Sequence, residues 1–538
     1  MSALLSVRDL GVRFGGVTAV DGVSFDLEKG AALGIVGESG SGKSVTCRAL
    51  VRLLPKTARI TGSVAFDGQD MLAASGAALD TIRGKRIAMI FQSPASHLDP
   101  LMRIGDQVAE TLRRHTDMPG RAVGDEVLRL LDVVRIPEPR RWARAYPHQL
   151  SGGMKQRAMI AGALACQPDL LLADEPTTAL DATVQKSVLD LLAQLRRDRG
   201  LSMIFVSHDL GAVSAVCDDL LVMRRSKVVE AGPVARILAD PAHEYTKMLI
   251  ASHPDRLTLR AVGAATAGAP LVEARGVQVR YGGRTLADLV MGRRGGFTAV
   301  KEADFAVRPG EALGIVGESG SGKSTLAKTL VGLVKPSRGE ICFDGKPAEP
   351  VGPGRVAYLR DVQLVYQHPY EALSPRMNVR SAIAEPLRRH RLCPPSDIPR
   401  RVADLMGQVD LAPNLAGRLP AELSGGQCQR VAIARALALD PRVLIADEVT
   451  SALDVTLQAQ VMELLIRLQK ERGLTMIFIS HDLAVIRRLC NSVIVMRAGQ
   501  IVESGPTSQV FDAPRDPYTR ALIDAIPHLG AHPARGTT

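Results

Sequence analysis

Aromatic side chains are scarce in this chain: they make up 3% of 538 residues, with one tryptophan, Trp142. So small a supply argues against a base-stacking surface for single-stranded nucleic acid. Cysteines are also few. The seven (Cys47, Cys166, Cys217, Cys342, Cys393, Cys428 and Cys490) are odd in number, scattered, and form no Cys-x-x-Cys pair. That pattern fits reduced thiols and argues against a disulfide framework or a cysteine metal module. Long apolar runs are missing. The best, at 170–173 and 202–207, end within a few residues, far short of the roughly 18 needed to suggest a membrane-spanning helix. The opening MSALLSVRDLGVRFGG has no basic stretch leading into an apolar core and cleavage site, so no secretory signal is read.

Hydrophobic residues make up 46%, enough for sizeable cores and too many for a disordered chain. The 49 glycines follow no three-residue period, which excludes a collagen-like chain. The length suggests about three or four domains at roughly 100–200 residues each. The net charge of +11 leaves three options open: nucleic acid, an anionic membrane face, or a basic surface with no special partner.

The string GIVGESGSGKS stands at 34–44 and again at 314–324. LSGG recurs at 150–153 and 423–426, ADE at 173–175 and 446–448, and SHDL at 207–210 and 480–483. The offset is 280 for the first pair and 273 for the other three. Length differences therefore lie between the first motif and LSGG. The repeat is too long for a solenoid unit and reads as a duplicated domain. The small-residue stretch RLTLRAVGAATAGAP is a linker composition. The expected domains are 1–256 and 271–530, joined by a linker at 257–270 and followed by a flexible tail at 531–538. The second copy carries extra residues at 284–296. Short apolar runs such as LLLAD, VLIAD, MIFVS and MIFIS read as strands. ATVQKSVLDLLAQLRRDRG reads as a helix closed by glycine. Alternating strands and helices predict an α/β fold with a parallel core in each copy.

Each GIVGESGSGKS holds the phosphate-binding pattern G-x-x-x-x-G-K-S. Its glycines let backbone N–H groups curl around phosphate oxygens, and the helix that follows turns its positive end to the same charge. The residues concerned are Gly37, Ser39, Gly40, Gly42, Lys43 and Ser44, then Gly317, Ser319, Gly320, Gly322, Lys323, Ser324 and Thr325. Lys43 and Lys323 suit the β- and γ-phosphates, and Ser44 and Ser324 suit Mg²⁺. Asp174 and Asp447 end apolar strands, where a parallel core binds ligands, and are expected to hold Mg²⁺. Glu175 and Glu448 follow and suit polarising an attacking water. One such acid pair alone would read as a helix start; its repetition at a fixed distance favours the catalytic reading. His208 and His481, at the ends of the next strands, are read as γ-phosphate contacts. Ser151, Gly152 and Gly153, and Ser424, Gly425 and Gly426, open helices and make a further anion site.

These motifs in this order resemble the nucleotide-binding domains of ABC transporters, over nearly the whole chain and twice. The resemblance implies two tandem P-loop ATPase domains, each with a RecA-like, mostly parallel core, an antiparallel β subdomain and an α-helical subdomain. It further implies Mg²⁺ and coupling contacts for Gln92 and Gln367, adenine stacking on Phe14 and Tyr281, and D-loop roles for Asp181 and Asp454. The segments after each Gln, the endings HEYTKMLIASHP and DPYTRALIDAIP, and the pairing of LSGGM with LSGGQ are similar to the two ATPase subunits of peptide/nickel importers, fused. Three positions depart from the pattern: Met154 for Gln, Cys428 for Arg, and Val449 for Pro. None removes a phosphate, metal or water contact.

The mechanism implied is a pair of head-to-tail ATP sites. One would use Lys43, Gln92, Asp174, Glu175 and His208, closed by Ser424 and Gly426. The other would use Lys323, Gln367, Asp447, Glu448 and His481, closed by Ser151 and Gly153. ATP would close the two domains and hydrolysis would release them. The expected setting is the cytoplasmic face of the cell membrane, against anionic lipid, with two permease subunits and an extracytoplasmic solute-binding protein. No nucleic acid is expected, and no iron–sulfur cluster, since no Cys follows Tyr245 before the linker or follows Tyr518. Rival readings are a soluble twin-cassette ATPase acting on ribosomes or nucleic acid, an exporter ATPase, and a non-hydrolytic scaffold. Cargo is not written in the chain: dipeptides and oligopeptides lead, with nickel, glutathione and oligosaccharides as alternatives.

Overall fold

The computed structural model describes residues 3–178, 180–253, 256, 268–282, 296–348, 354–450, 453 and 455–530. Of the sequence expectations, Asp454, the tail and nearly all of the linker and of the 284–296 insertion lie outside these residues. The chain divides into two compact units, one holding Met1–Leu180 and Val184–Arg256, the other Leu257–Ile526.

In the first unit the core is a six-stranded sheet. Its order is Lys227–Pro233, Asp219–Arg224, Ala32–Gly37, Ser202–Val206, Leu170–Asp174, Ile87–Ile90. All neighbours are parallel except the first pair, an antiparallel hairpin. Ala32–Gly37, Leu170–Asp174 and Ser202–Val206 are buried at every position, as expected for parallel strands covered on both faces. A four-stranded antiparallel sheet (Val17–Leu27, Leu5–Phe14, Ala58–Phe66, Gln69–Asp70) behaves differently. In Leu5–Phe14 buried and accessible positions interchange, because one face packs and the other meets water. Val7, Leu10, Val64 and Phe66 from that sheet share a core with Leu33, Ile35, Leu172 and Ile204. Each such side chain contributes about 1.5–3 kcal/mol through burial. The helices Ile104–His115, Gly120–Val133 and Gly152–Leu164 pack on one another as a third layer.

The second unit repeats this plan. Its core order is Val362–Val365, Val443–Asp447, Thr475–Ile479, Ala312–Val316, Ser492–Arg497, Gln500–Pro506, again parallel but for the last hairpin. Its antiparallel sheet centres on Val272–Tyr281, and its helical layer is Val379–Arg389, Ile398–Gln408 and Gly425–Leu437. The expected strands LLLAD and VLIAD are present as Leu170–Asp174 and Val443–Asp447. The expected helix is Ala182–Arg199, which stops at Gly200 with φ of 61°. That left-handed backbone costs glycine little.

Register decides which motifs meet. Asp174 lies opposite Val206, Val206 opposite Ile35, and Ala173 opposite Ile90. The loop after Ala32–Gly37, the acids at 174–175, His208 and Gln92 therefore leave the sheet at the same carboxyl edge. In the second unit Asp447 lies opposite Ile479, Ile479 opposite Ile315, and Ala446 opposite Val365.

Candidate functional site

At that edge the phosphate-loop strand turns into the helix Lys43–Leu50, or Lys323–Leu330 in the second unit. Gly42 caps the first helix at φ 102°, and a Cβ there would stand 2.3 Å from Ala19 O. Gly322 repeats this at φ 106°, 2.5 Å from Ala299 O. Both the backbone angle and the space demand glycine. The lysines are buried. Lys43 Nζ donates to the carbonyls of Gly37 at 2.7 Å and Glu38 at 2.8 Å. Lys323 does the same with Gly317 and Glu318 at 2.7 and 2.8 Å. Burial pulls Lys323 below its ordinary pKa of 10.5.

Ser44 Oγ donates to Asp174 Oδ1 at 2.7 Å, and Ser324 Oγ to Asp447 Oδ1 at 3.2 Å. The loop hydroxyl and the strand-end acid, read separately from sequence, are thus neighbours. Burial raises both aspartates above 3.8, and the serine hydroxyl offsets this only in part. Asp174 Oδ2 is buried without a hydrogen bond, and its nearest cation is the Arg48 guanidinium at 3.7 Å. A desolvated carboxylate beside a hydroxyl is a set of hard oxygen donors, which fits Mg²⁺. Among the described residues no group of three or more His, Cys, Asp or Glu side chains is arranged to hold a metal ion by itself. A bound Mg²⁺ would take its remaining oxygens from phosphate and water.

Glu175 follows with φ of 49°, and Glu448 has the same angle. A non-glycine residue held there stores about 1–3 kcal/mol of strain. The backbone N–H of each is tied to the neighbouring strand, Glu175 to Val206 O at 3.0 Å and Glu448 to Ile479 O at 2.9 Å. Donors gather on Glu175 Oε2: Gln92 Nε2 at 2.8 Å and Thr178 Oγ1 at 2.9 Å, with His208 Nδ1 at 3.7 Å. Around Glu448 Oε2 stand Gln367 Nε2 at 2.6 Å and His481 Nδ1 at 3.4 Å. Burial alone would raise Glu175, but the nearby His208 imidazole and the Thr178 hydroxyl outweigh it and hold the carboxyl down to about 2. Glu448 is lowered in the same way by His481. In return burial disfavours the charged imidazoles, yet their glutamates raise both above 6.5.

The signature serines are helix caps: Ser151 Oγ accepts from Met154 N–H and Ser424 Oγ from Gln427 N–H. Gln427 returns a bond to Ser424 N–H at 3.0 Å, completing a capping box that Met154 cannot form. A Cβ on Gly153 would meet Val184 Cγ1 at 2.5 Å, whereas one on Gly152 meets nothing within 4 Å. Phe14 ends the strand Leu5–Phe14 half-buried, and Tyr281 ends Val272–Tyr281 exposed. Asp181 accepts the Thr183 hydroxyl at 3.0 Å. Cys428 is buried, its thiol donating to Pro420 O at 3.5 Å. Sequence reasoning missed Thr178 and Arg48, which no motif singles out.

The ABC transporter family model matches residues 20–178 and 300–451. The chain belongs to this family. The model for the oligopeptide/dipeptide transporter C-terminal region also matches, at 229–268 and 502–538. The glutathione import ATP-binding protein GsiA of Pectobacterium atrosepticum is 44% identical over 97% of this chain and 89% of its own. That of Escherichia coli strain K12 is 42% identical over the same shares. The chain thus carries two ABC ATPase domains, binds ATP, and couples its hydrolysis to import as the ATP-binding subunit of a peptide-type ABC transporter. Such a subunit works with membrane permeases. No described helix is long and apolar enough to cross a membrane.

Proposed function

We propose that both domains hydrolyse Mg²⁺-ATP to drive uptake of glutathione or a similarly short peptide. The observation that carries the catalytic part is the doubled constellation: in each unit a buried lysine on the loop, a serine–aspartate pair, and a glutamate held ionised beside an imidazole. Ser44 with Asp174, and Ser324 with Asp447, would hold Mg²⁺, which when bound neutralises phosphate charge. Lys43 and Lys323 place a cation against the β- and γ-phosphates. Glu175 gathers its donors on Oε2, so Oε1 is the oxygen set to accept a proton from water. Gln92 and His208 keep that carboxylate oriented, and Gln367 and His481 serve Glu448. The two glycines and serine at each signature helix offer backbone N–H groups to an anion.

The cargo reading rests on the relatives named for glutathione import and on the C-terminal match. The same reading places the chain on the cytoplasmic membrane face with a solute-binding protein outside. Uptake of labelled glutathione by cells with and without this gene tests it, with a dipeptide and Ni²⁺ as competitors. Gene-dependent glutathione uptake supports it. Gene-dependent uptake of Ni²⁺ alone, or recovery of the chain on ribosomes and not on membranes, would overturn it.

A further inference from the structure

Near the end of each unit a short helix carries a Tyr-Thr pair whose tyrosine turns back to the phosphate loop. The Glu38 backbone N–H donates to Tyr245 Oη at 2.9 Å, and Glu318 N–H donates to Tyr518 Oη at 3.0 Å. We propose that Tyr245 and Tyr518 are positioning residues of the ATPase reaction, each pinning the second residue of its own phosphate loop.

Both rings are buried and held on several sides. The Arg224 guanidinium lies 4.8 Å above the Tyr245 ring, and Arg497 lies 4.8 Å above Tyr518. Tyr245 sits in the helix Glu244–Ala251, whose N-cap His243 accepts the Tyr245 N–H at 3.0 Å. Tyr518 sits in Pro517–Ile523, where Asp516 accepts the Tyr518 N–H at 2.8 Å. One step back, a buried-edge glutamate ties the segment to the core hairpin. Glu230 accepts the N–H groups of Ala242 and His243 at 2.8 and 3.1 Å, and Glu503 those of Arg515 and Asp516 at 2.9 and 3.1 Å. The cap residue differs between the two copies, as do Glu244 and Pro517, Lys247 and Arg520, and Met248 and Ala521, yet the hydroxyl reaches the same amide.

That amide matters because of what lies across the same residue. The Glu38 carbonyl receives Lys43 Nζ, and the Glu318 carbonyl receives Lys323 Nζ. Tyrosine therefore holds the N–H side of a residue whose C=O side seats the phosphate-binding lysine. An amide satisfied by protein stays turned away from the phosphates, and the loop keeps its shape before nucleotide arrives. Binding then loses less conformational freedom on ordering the loop. Burial pushes the Tyr518 phenol up to about 12, so this acceptor is a neutral hydroxyl. This gives Tyr245 and Tyr518, which fall within the matched C-terminal regions 229–268 and 502–538, a place beside the phosphate loop.

The test uses the full chain with Tyr245→Phe, Tyr518→Phe and the double substitution, which remove one oxygen each and keep the ring. Leu249→Ala and Leu522→Ala, buried on the same helices, serve as packing controls. Nucleotide titration should show Tyr245→Phe weakening one of two ATP sites about 3–10-fold, the effect of one hydrogen bond. The double substitution should weaken both, raising KM for ATP while kcat at saturating ATP stays within about twofold. The leucine controls should lower the melting midpoint and leave ATP affinity in place. Unchanged ATP affinity in the double variant overturns the proposal. So does an equal loss of affinity in the leucine controls, since helix packing alone would then explain it.

Discussion

Two glutamates carry the sharpest consequences at the scale of single residues. Each sits in left-handed backbone, is tied by its N–H to the next strand, and is kept ionised by a histidine. Glu175→Gln with Glu448→Gln keeps the side-chain size but removes the carboxylate proposed as the base. Steady-state phosphate release should fall about 10²–10⁴-fold while ATP stays bound; turnover that survived both changes would remove these residues from the assigned role. The serine–aspartate pairs predict a metal effect. Ser44→Ala with Ser324→Ala should raise the Mg²⁺ concentration needed for half-maximal turnover about tenfold, the order of one lost charge-assisted bond, measured by Mg²⁺ titration after chelation. The acids, lysines and glycines were legible because their spacing is strict. Thr178 and the strained φ at Glu175 were not, since neither contact nor backbone angle is encoded in a short motif.

Helices and their ends decide the next level. The two signature glycines look alike in sequence but answer to different neighbours. Gly153 packs against Val184, so Gly153→Ala should destabilise its unit by about 1–3 kcal/mol through overpacking. Gly152 faces open space, so Gly152→Ala should leave the melting midpoint in place and lower ATPase activity if that face meets nucleotide. Thermal melts and phosphate release on the two variants separate the roles. The C-terminal segments make a pH prediction. Glu230 and Glu503 are lowered below 4.5: burial works the other way, but hydrogen-bond donors, including two backbone N–H groups each, outweigh it. A lowered carboxylate adds stability that is full above its ordinary pKa and is lost as the pH falls below it. Glu230→Gln with Glu503→Gln should therefore cost about 1–3 kcal/mol at neutral pH. It should also flatten the acid side of the stability profile below about pH 4.5.

For the whole molecule the duplication sets the arithmetic. Each unit contains its own loop, acids and core, so the chain should bind two ATP, one per phosphate loop. Lys43→Ala should reduce the stoichiometry from about two to about one per chain in calorimetric titration, with the second site's affinity kept. Full stoichiometry at unchanged affinity would mean the buried lysine does not contact phosphate. The family match and the relatives agree with the reading of a doubled transporter ATPase, and with the α/β fold expected from alternating strands and helices.

What the sequence alone determined follows from local chemistry. Glycine at fixed spacing, a lysine and serine beside it, apolar runs ending in Asp-Glu, and a second copy of all of them specify a nucleotide site and a duplicated α/β fold. Such features need only neighbours along the chain. Tertiary structure alone decided which distant residues share an edge. Parallel register brings Gln92, 83 positions away, onto Glu175, and a packed C-terminal helix brings Tyr245 onto Glu38 across 207 positions. These contacts depend on strand order and on the burial of whole layers, and no local pattern of residues records either.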